Sequence, residues 1–507
     1  MTEITQGDYQ IYMCDNNVFL SHSNYSNVVS IEKFDCNLSE SNKDVLKKHN
    51  IIGIIKPHAI LGIIKVMKHN FLLYVKSAIL IGTLEEADIF KVKEADLIPI
   101  ADDFIVNNMS SEVKSLIIGL KNLLTLGFFY SFNYDLTNSR QKQMKNKNSN
   151  IFESTERKFF WNYSLYNKFN EGSINKAFYV VMICGYVGIY KDNVFDNSIV
   201  LCLISRRSVF HAGTRYNTRG INDDGNVANY VETEQILKFS NHLLSLVQIR
   251  GSAPVFFQQI GVTAHTVITR SPEMSSSPFT KHIEELQKDF AMSYLINLMN
   301  SHKPGEQIIT QNVENLIKVN KPNKLRYYFF DFQSECKYDN YNNLDSFVST
   351  IEKVLNIFKF YCENTNTGEI HKEQLGVVRT NCLDCLDRTN VIQTRIGWKI
   401  LELQLNFLNI NTSSVFSVNF QSNLNNSKLM QVFKEMWADN GDFISIQYAG
   451  TASTITSVTR HGKHGIFGLV QHGIVSLTRF YQGSFEDEAK QRCFDLLLQK
   501  AVSTCCI

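Results

Sequence analysis

No run of this chain reaches the roughly 20 apolar residues that a membrane-spanning helix needs. The nearest, from Ala177 to Ile189, is short and bounded by Lys176 and Lys191, so it reads as a buried strand pair or a core helix. The start, Met1-Thr2-Glu3-Ile4, lacks a basic stretch followed by an apolar one, and no secretory signal is expected. Prolines number 7 and glycines 25 in 507 residues, too few for a fibrous or low-complexity architecture. Excess charge is missing too: Lys and Arg total 51 against 49 Asp and Glu, a net charge of +2. That excludes the broad basic field of a general nucleic-acid binder. An anionic partner must meet local clusters of cations, which favours a small phosphorylated ligand. The 11 cysteines are odd in number and scattered, and some, such as Cys184 and Cys202, sit in apolar runs. This is not the dense pattern of a secreted disulfide scaffold, so reduced thiols in a cytosolic setting are expected. No fixed-period repeat is visible.

What remains is a folded composition, 44% hydrophobic and 20% charged, long enough for two or three domains. Residues 1–136 read as a mainly β domain. Apolar runs at Ile51–Ile64 and Phe71–Ile81 flank His69-Asn70 like a hairpin, and a helix is expected over Val113–Leu124. Residues 137–158 read as a linker or loop, polar, cationic and asparagine-rich at 137–150. From 159 to 507, strand-like runs (Ala177–Ile189, Ser198–Ile204, Leu325–Phe332) alternate with helical patterns such as His282–Met299. The asparagine-rich stretch near 409–427 reads as a solvated loop. The fold class expected is α+β or α/β, a β-rich N-terminal domain packed on an α/β domain with a central sheet.

The chemistry lies in Glu373–Phe407, which reads as strand, tight loop and long helix. Leu375, Val377 and Val378 suit a buried strand, and Ile392, Ile396, Ile400, Leu403 and Phe407 form a helical stripe. Between them stands RTNCLDCLDRTN, residues 379–390, in which five residues separate Cys382 from Arg388. A loop ending at a helix N-terminus gathers backbone N–H groups into an anion cradle. The helix dipole and a nearby guanidinium favour the thiolate. A free thiol is only about 3% ionised at pH 7, and a pKa lowered by about two or three units, worth ~3–4 kcal/mol, ionises most of it. Arg388 can grip two phosphoryl oxygens at once, which a lysine cannot. In this reading Leu383, Cys385, Leu386, Asp387 and Thr389 surround the phosphate.

RTNCLDCLDRTNV closely resembles the signature of the Sac family of phosphoinositide phosphatases. The resemblance extends to FFWN at 159–162, the block LISRRSVFHAGTRYNTRGINDDGNVANYVETEQI at 203–236, QIRGSAPVFF at 248–257 and the region near 447–485. IIGIIK at 51–56 and YDLTNS at 134–139 are similar to the family's N-terminal domain. The resemblance implies Cys382 as nucleophile, Arg388 as phosphate clamp and Asp384 as an acidic position needed for activity. It implies removal of a ring phosphate from a membrane phosphoinositide, most readily phosphatidylinositol 4-phosphate, through a phosphocysteine and without a metal or other cofactor. Phe257 stands where the family usually has tryptophan, and Gln333 where histidine is expected. No C-terminal hydrophobic anchor of the kind carried by endomembrane members is read here. The expected location is therefore cytoplasmic and peripheral on endoplasmic reticulum or Golgi membranes. Since some members depend on partners, an adaptor or regulatory protein is a further implied partner.

Other readings stand beside these. Cys382 and Cys385 also form a C-x-x-C pair, but a zinc site needs a second ligand pair, and His371 is the only obvious neighbour. Asp384 and Asp387 suit either proton transfer and water orientation or helix capping. Arg206, Arg207, Arg215 and Arg219 suit inositol phosphates or an anionic bilayer, or else salt bridges with Asp223, Asp224 and Glu232. Arg460, His461, Lys463 and His464 form a weaker membrane-facing candidate. Cys505-Cys506 is read as an unmodified tail, since Thr504 occupies the prenylation position. The rival functions are a cysteine phosphatase acting on phosphoproteins or soluble inositol phosphates, and a phosphoinositide-binding scaffold with little activity.

Overall fold

The computed structural model describes residues 2–4, 7–146, 151–172, 174–194, 197–260, 265–336, 343–410, 428–453, 456, 460 and 487–500. Contacts divide the chain into two compact units. One comprises Met1–Asn138, Asn148–Cys184 and Glu488–Ile507, the other Ser139–Lys147 and Gly185–Asp487. Position 159 falls inside the first of these units. The FFWN segment explains part of this: Phe159, Phe160 and Trp161 are buried, and the Asn162 amide donates to Leu61 O at 2.9 Å and Val180 O at 2.8 Å. The helix Asp487–Leu497 brings Phe494 to 5.5 Å from the Trp161 ring.

The first unit is mainly β, as its β-branched runs require. A five-stranded antiparallel sheet runs Leu38–Asn42, Asn27–Glu32, Asn17–His22, Tyr9–Cys14, Ile51–Ile55. Ala59–Val66 pairs with His69–Leu84, which pairs in turn with Ala87–Pro99. The hairpin expected around residues 51–81 thus forms only from Ala59 onward. Its turn is Met67-Lys68, with Met67 at φ 55°, and Ile51–Ile55 belongs to the other sheet. The expected helix spans Ser111–Leu124, with Ser110 Oγ accepting the Val113 N–H at 3.3 Å.

The second unit holds one mixed sheet. Its strands are β1 (Met182–Val194), β2 (Asn197–Arg207), β3 (Val231–Phe239), β4 (His242–Arg250), β5 (Met292–Asn297), β6 (Leu325–Phe329), β7 (Tyr361–Asn364) and β8 (Gly376–Asn381). From Gly185 onward β1 joins β2, β3 and β4 in an antiparallel meander, and β7 pairs with β4. Then the sheet turns parallel in the order β4, β8, β5, β6. Its helices are α1 (Pro272–Asp289), α2 (Pro304–Asn320), α3 (Asn343–Phe358), α4 (Asp387–Phe407) and α5 (Lys428–Ala449). Side chains of α3, α4 and α5, including Phe347, Ile351, Ile396, Leu401, Phe433 and Trp437, share one core with the sheet.

One expected helix is corrected. The stripe Ile283, Leu286, Phe290, Tyr294, Leu298 is a helix only to Asp289; Phe290 is extended at φ −129° and Met292–Asn297 is strand β5. Strand β5 is buried on both faces and carries apolar residues at consecutive positions, Tyr294, Leu295 and Ile296, so it supplied false helical matches. In an open parallel sheet, ligands bind outside the carboxyl ends of the strands. Here β8 is central, and the turns after β4, β5 and β8 open at that edge.

Candidate active site

Strand β8 ends at Asn381, the loop runs Cys382–Leu386, and α4 begins at Asp387. The reversal is made by Cys385, at φ 56°, a left-handed value uncommon outside glycine. This turns the Cys385 and Leu386 side chains inward: Cys385 is fully buried, and Leu386 packs with Val231, Ile444 and Tyr448. Both can meet a ligand only through their backbones. The N–H groups of Leu383, Cys385, Leu386 and Arg388 meet no acceptor among the described residues. Unpaired amides next to a helix N-terminus are donors waiting for an anion.

Cys382 lies under this loop with 3% of its surface exposed. Its N–H donates to Cys385 Sγ at 3.1 Å, and that sulfur lies 2.7 Å from Gly251 O in the turn after β4. Burial pushes the Cys385 thiol far above its ordinary value, so it stays protonated as a donor. The Cys382 thiol moves the other way, down to about 7, chiefly through its hydrogen bond with Cys385. Burial opposes this, the Arg388 charge assists it, and the Glu306 and Asp384 carboxylates oppose it. Alkylation by iodoacetamide, followed as loss of activity, is therefore expected to accelerate with a midpoint near pH 7. A midpoint at the ordinary thiol value of about 8.5 would contradict this environment.

Arg388, in the first turn of α4, has its guanidinium fixed on one side. Nη1 donates to Glu306 Oε2 at 2.6 Å and to Leu298 O at 2.9 Å, and Nη2 donates to Glu306 Oε1 at 3.0 Å. Two further arginines lie behind the loop: Arg250 donates to Asn390 Oδ1 at 3.1 Å and Arg379 to Ser252 O at 2.6 Å. Burial lowers both to about 10, so both stay cationic at neutral pH. Space is tight here: a Cβ on Gly251 would come within 2.7 Å of Val227 Cγ2, which is why this turn takes glycine.

Asp384 is clamped rather than free. Arg215 Nη2 lies 2.8 Å from its Oδ2, and Arg219 donates to its Oδ1 and to Leu383 O. Its side chain keeps 18% exposure. Arg215 and Arg219 thus join the loop by holding its acidic residue. Arg206 does not: fully buried, it pairs with Glu232 at 3.2 Å and Glu234 at 2.7 Å across the sheet. Breaking such a buried network costs about 3–5 kcal/mol, so Arg206 is structural and the expectation of a substrate contact is corrected. Arg207, 2% exposed, donates to Gly213 O at 3.3 Å and is likewise spent on the fold. Asp387 accepts from Ser453 Oγ at 2.6 Å in the first turn of α4, where a negative charge favours the helix. Thr389 is fully buried, and its hydroxyl meets no partner among the described residues.

A cavity of about 510 Å³ adjoins Arg219, lined among others by Tyr216, Asn217, Asn222, Phe256, Phe257 and Arg270. Phe257, the departure from tryptophan, is in this wall. Arg460 pairs with Asp439 at 2.5 Å, whereas His461, Lys463, His464, Cys505 and Cys506 lie outside the described residues. Among the described residues no group of three or more His, Cys, Asp or Glu is placed to hold a metal ion. None of the described helices is long and apolar enough to cross a membrane.

Comparison with known proteins matches residues 58–337, more than half of the chain, to the family described as the SacI homology domain. The chain is 32% identical over 444 residues to phosphatidylinositol-3-phosphatase SAC1 of Saccharomyces cerevisiae, covering 83% of this chain and 70% of that protein. The chain belongs to the Sac family. It is also 33% identical over 402 residues to phosphatidylinositide phosphatase SAC2 of Mus musculus, covering 73% of this chain and 34% of that one. Identity to human synaptojanin-1 is 31% over 466 residues, 90% of this chain and 27% of that protein.

Sequence reasoning missed Glu306, Arg250 and Arg379 in this Sac-family site. Arg250 and Arg379 stand in the RGS and RTNC motifs already noticed, so attention to every charge inside those motifs would have found them. Glu306 carried no local signal: it is 82 positions from Arg388 and arrives beside it only because β5 neighbours β8.

Proposed function

We propose that this protein is a phosphoinositide phosphatase that removes a ring phosphate, most readily from phosphatidylinositol 4-phosphate, through a phosphocysteine on Cys382. The observation that carries this reading is the convergence on one loop of a lowered thiol, unpaired amides and a guanidinium with donors to spare. In the first step the Cys382 thiolate attacks phosphorus in line, the S–P bond forms, the bond to the inositol oxygen breaks, and that oxygen takes a proton from solvent water, which the hydrolysis of the second step returns. Arg388 and the loop amides carry the charge on the equatorial oxygens. Asp384, held by Arg215 and Arg219 and still partly exposed, keeps the loop in shape and is read as the group that orients the water of the second step. That water cleaves the S–P bond, releasing inorganic phosphate and restoring the thiolate. The aromatic and amide walls of the cavity beside Arg219 suit a polyol ring.

Action at a membrane surface, with peripheral attachment to endoplasmic reticulum or Golgi membranes, goes with this substrate. Family membership supports the lipid reading over phosphoprotein or soluble inositol phosphate substrates. The intact Cys382, Asp384 and Arg388 support catalysis over a scaffold role. Malachite-green phosphate release from vesicles carrying each phosphoinositide, beside soluble inositol phosphate and a phosphotyrosine peptide, is expected to be highest for the 4-phosphate. Preference for the 3-phosphate, which the yeast relative's name specifies, would overturn the ring position. Release only from the peptide or the soluble ligand would overturn the lipid reading, and binding without release would favour the scaffold.

A further inference from the structure

We infer that Glu306 is a positioning residue for catalysis: its carboxylate orients Arg388 so that one edge of the guanidinium faces the phosphoryl group. The inference rests on the proposed role of Arg388 as phosphate clamp and assigns the group that aims it.

A guanidinium has five N–H bonds in two forks, one formed by Nη1 and Nη2 and one by Nε and Nη2. Glu306 takes the first fork with both oxygens, at 2.6 and 3.0 Å, and Leu298 O takes the remaining Nη1–H at 2.9 Å. By subtraction, Nε–H and the second Nη2–H remain, together forming the side fork. They meet no acceptor among the described residues. Glu306 therefore does not compete for the edge a phosphate needs; it fixes the plane in which that edge lies.

The carboxylate is itself held. It is buried in the first turn of α2, and Oε2 accepts the Asn300 N–H at 2.8 Å. The Asn300 amide donates to Gln333 Oε1, and Asp331 Oδ2 accepts the Ser301 N–H at 2.8 Å. The turn after β5 is thereby tied to the segment after β6, and Glu306 is presented at a fixed place beside the loop after β8. Gln333, standing where the family resemblance led us to expect histidine, belongs to this support. An interaction so anchored costs no reorganisation as charge develops in the transition state.

The position of Glu306 carries a cost. Its charge opposes ionisation of Cys382, although the Cys385 hydrogen bond and Arg388 outweigh it. Cys385, Arg388, Glu306 and Asp384 are the titratable and charged groups that act on the thiol. A residue that burdens the nucleophile yet aims the clamp predicts effects of opposite sign on the two.

The test uses the full chain with phosphatidylinositol 4-phosphate vesicles, comparing wild type, Glu306→Gln and Glu306→Asp. Glu306→Gln is expected to lower kcat about 10- to 100-fold, with a smaller change in KM, because the guanidinium loses its fixed plane. Glu306→Asp is expected to recover part of that loss. The pH midpoint for iodoacetamide inactivation should stay or move lower in Glu306→Gln, whereas general loosening of the loop would raise it. A kcat within about threefold of wild type, or a fall accompanied by a raised midpoint, would overturn the inference. If Glu306→Gln does not fold, Glu306→Ala takes its place and is judged by the same criteria. Failure of the underlying reading looks different: there wild type itself releases no phosphate, or Arg388→Lys retains full turnover.

Discussion

Replacing Cys382 with serine is expected to lower phosphate release by about four to six orders of magnitude, as loss of a covalent nucleophile does elsewhere. The substitution exchanges sulfur for oxygen at a site with 3% exposure, so the packing volume hardly changes and the fold should stand. The chemistry does change. The Cys382 thiol is brought to about 7 by Cys385 with help from Arg388, whereas a serine hydroxyl stays protonated at neutral pH in the same place. Because the loop amides and Arg388 remain, the variant should still bind phosphoinositide vesicles. Phosphate release, vesicle sedimentation and thermal melting measured together check this. Turnover above about 1% of wild type in a folded variant would mean that another group attacks phosphorus.

Arg388→Lys is expected to lower kcat by about 10²–10³-fold while keeping a positive charge in the site. Arg388 spends three N–H bonds on Glu306 and Leu298 and still offers a two-donor edge. An ammonium has three donors on one atom, so it cannot fill the Glu306 carboxylate, reach Leu298 O and also hold two phosphoryl oxygens. If charge alone mattered, lysine would restore most of the rate, and kinetics on vesicles decide between the two.

How much of this was legible in the sequence depends on how far apart the cooperating residues are along the chain. Cys382, Asp384 and Arg388 lie within one short loop between a strand and a helix, and the requirements of phosphate binding appear there as contiguous letters. Glu306 is brought in by the pairing of β5 with β8, which no local pattern announces. Arg206 shows the opposite failure. Its neighbours in sequence suggested an exposed cationic block, but Glu232 lies opposite it on β3 and Glu234 two residues on, so strand pairing converts it into a buried bridge. The misplaced helix over His282–Met299 arose because strand β5, covered on both faces, carries a run of consecutive apolar residues, Tyr294–Ile296, that fits either period. The membership of the first unit likewise has no local pattern behind it. FFWN and the helix Asp487–Leu497 join the first unit through packing of Trp161 and Phe494, a contact between distant segments.

The central claim is that phosphorus passes through Cys382 Sγ, and a trapping measurement tests it most directly. Wild-type protein mixed with ³²P-labelled phosphatidylinositol 4-phosphate vesicles is stopped by a denaturing quench within the first turnovers, digested and mapped. The account predicts label on the peptide carrying Cys382, as a thiol-linked phosphate, and none in Cys382→Ser. Label on any other residue, or phosphate release at full rate with no labelled peptide at any time, would contradict it.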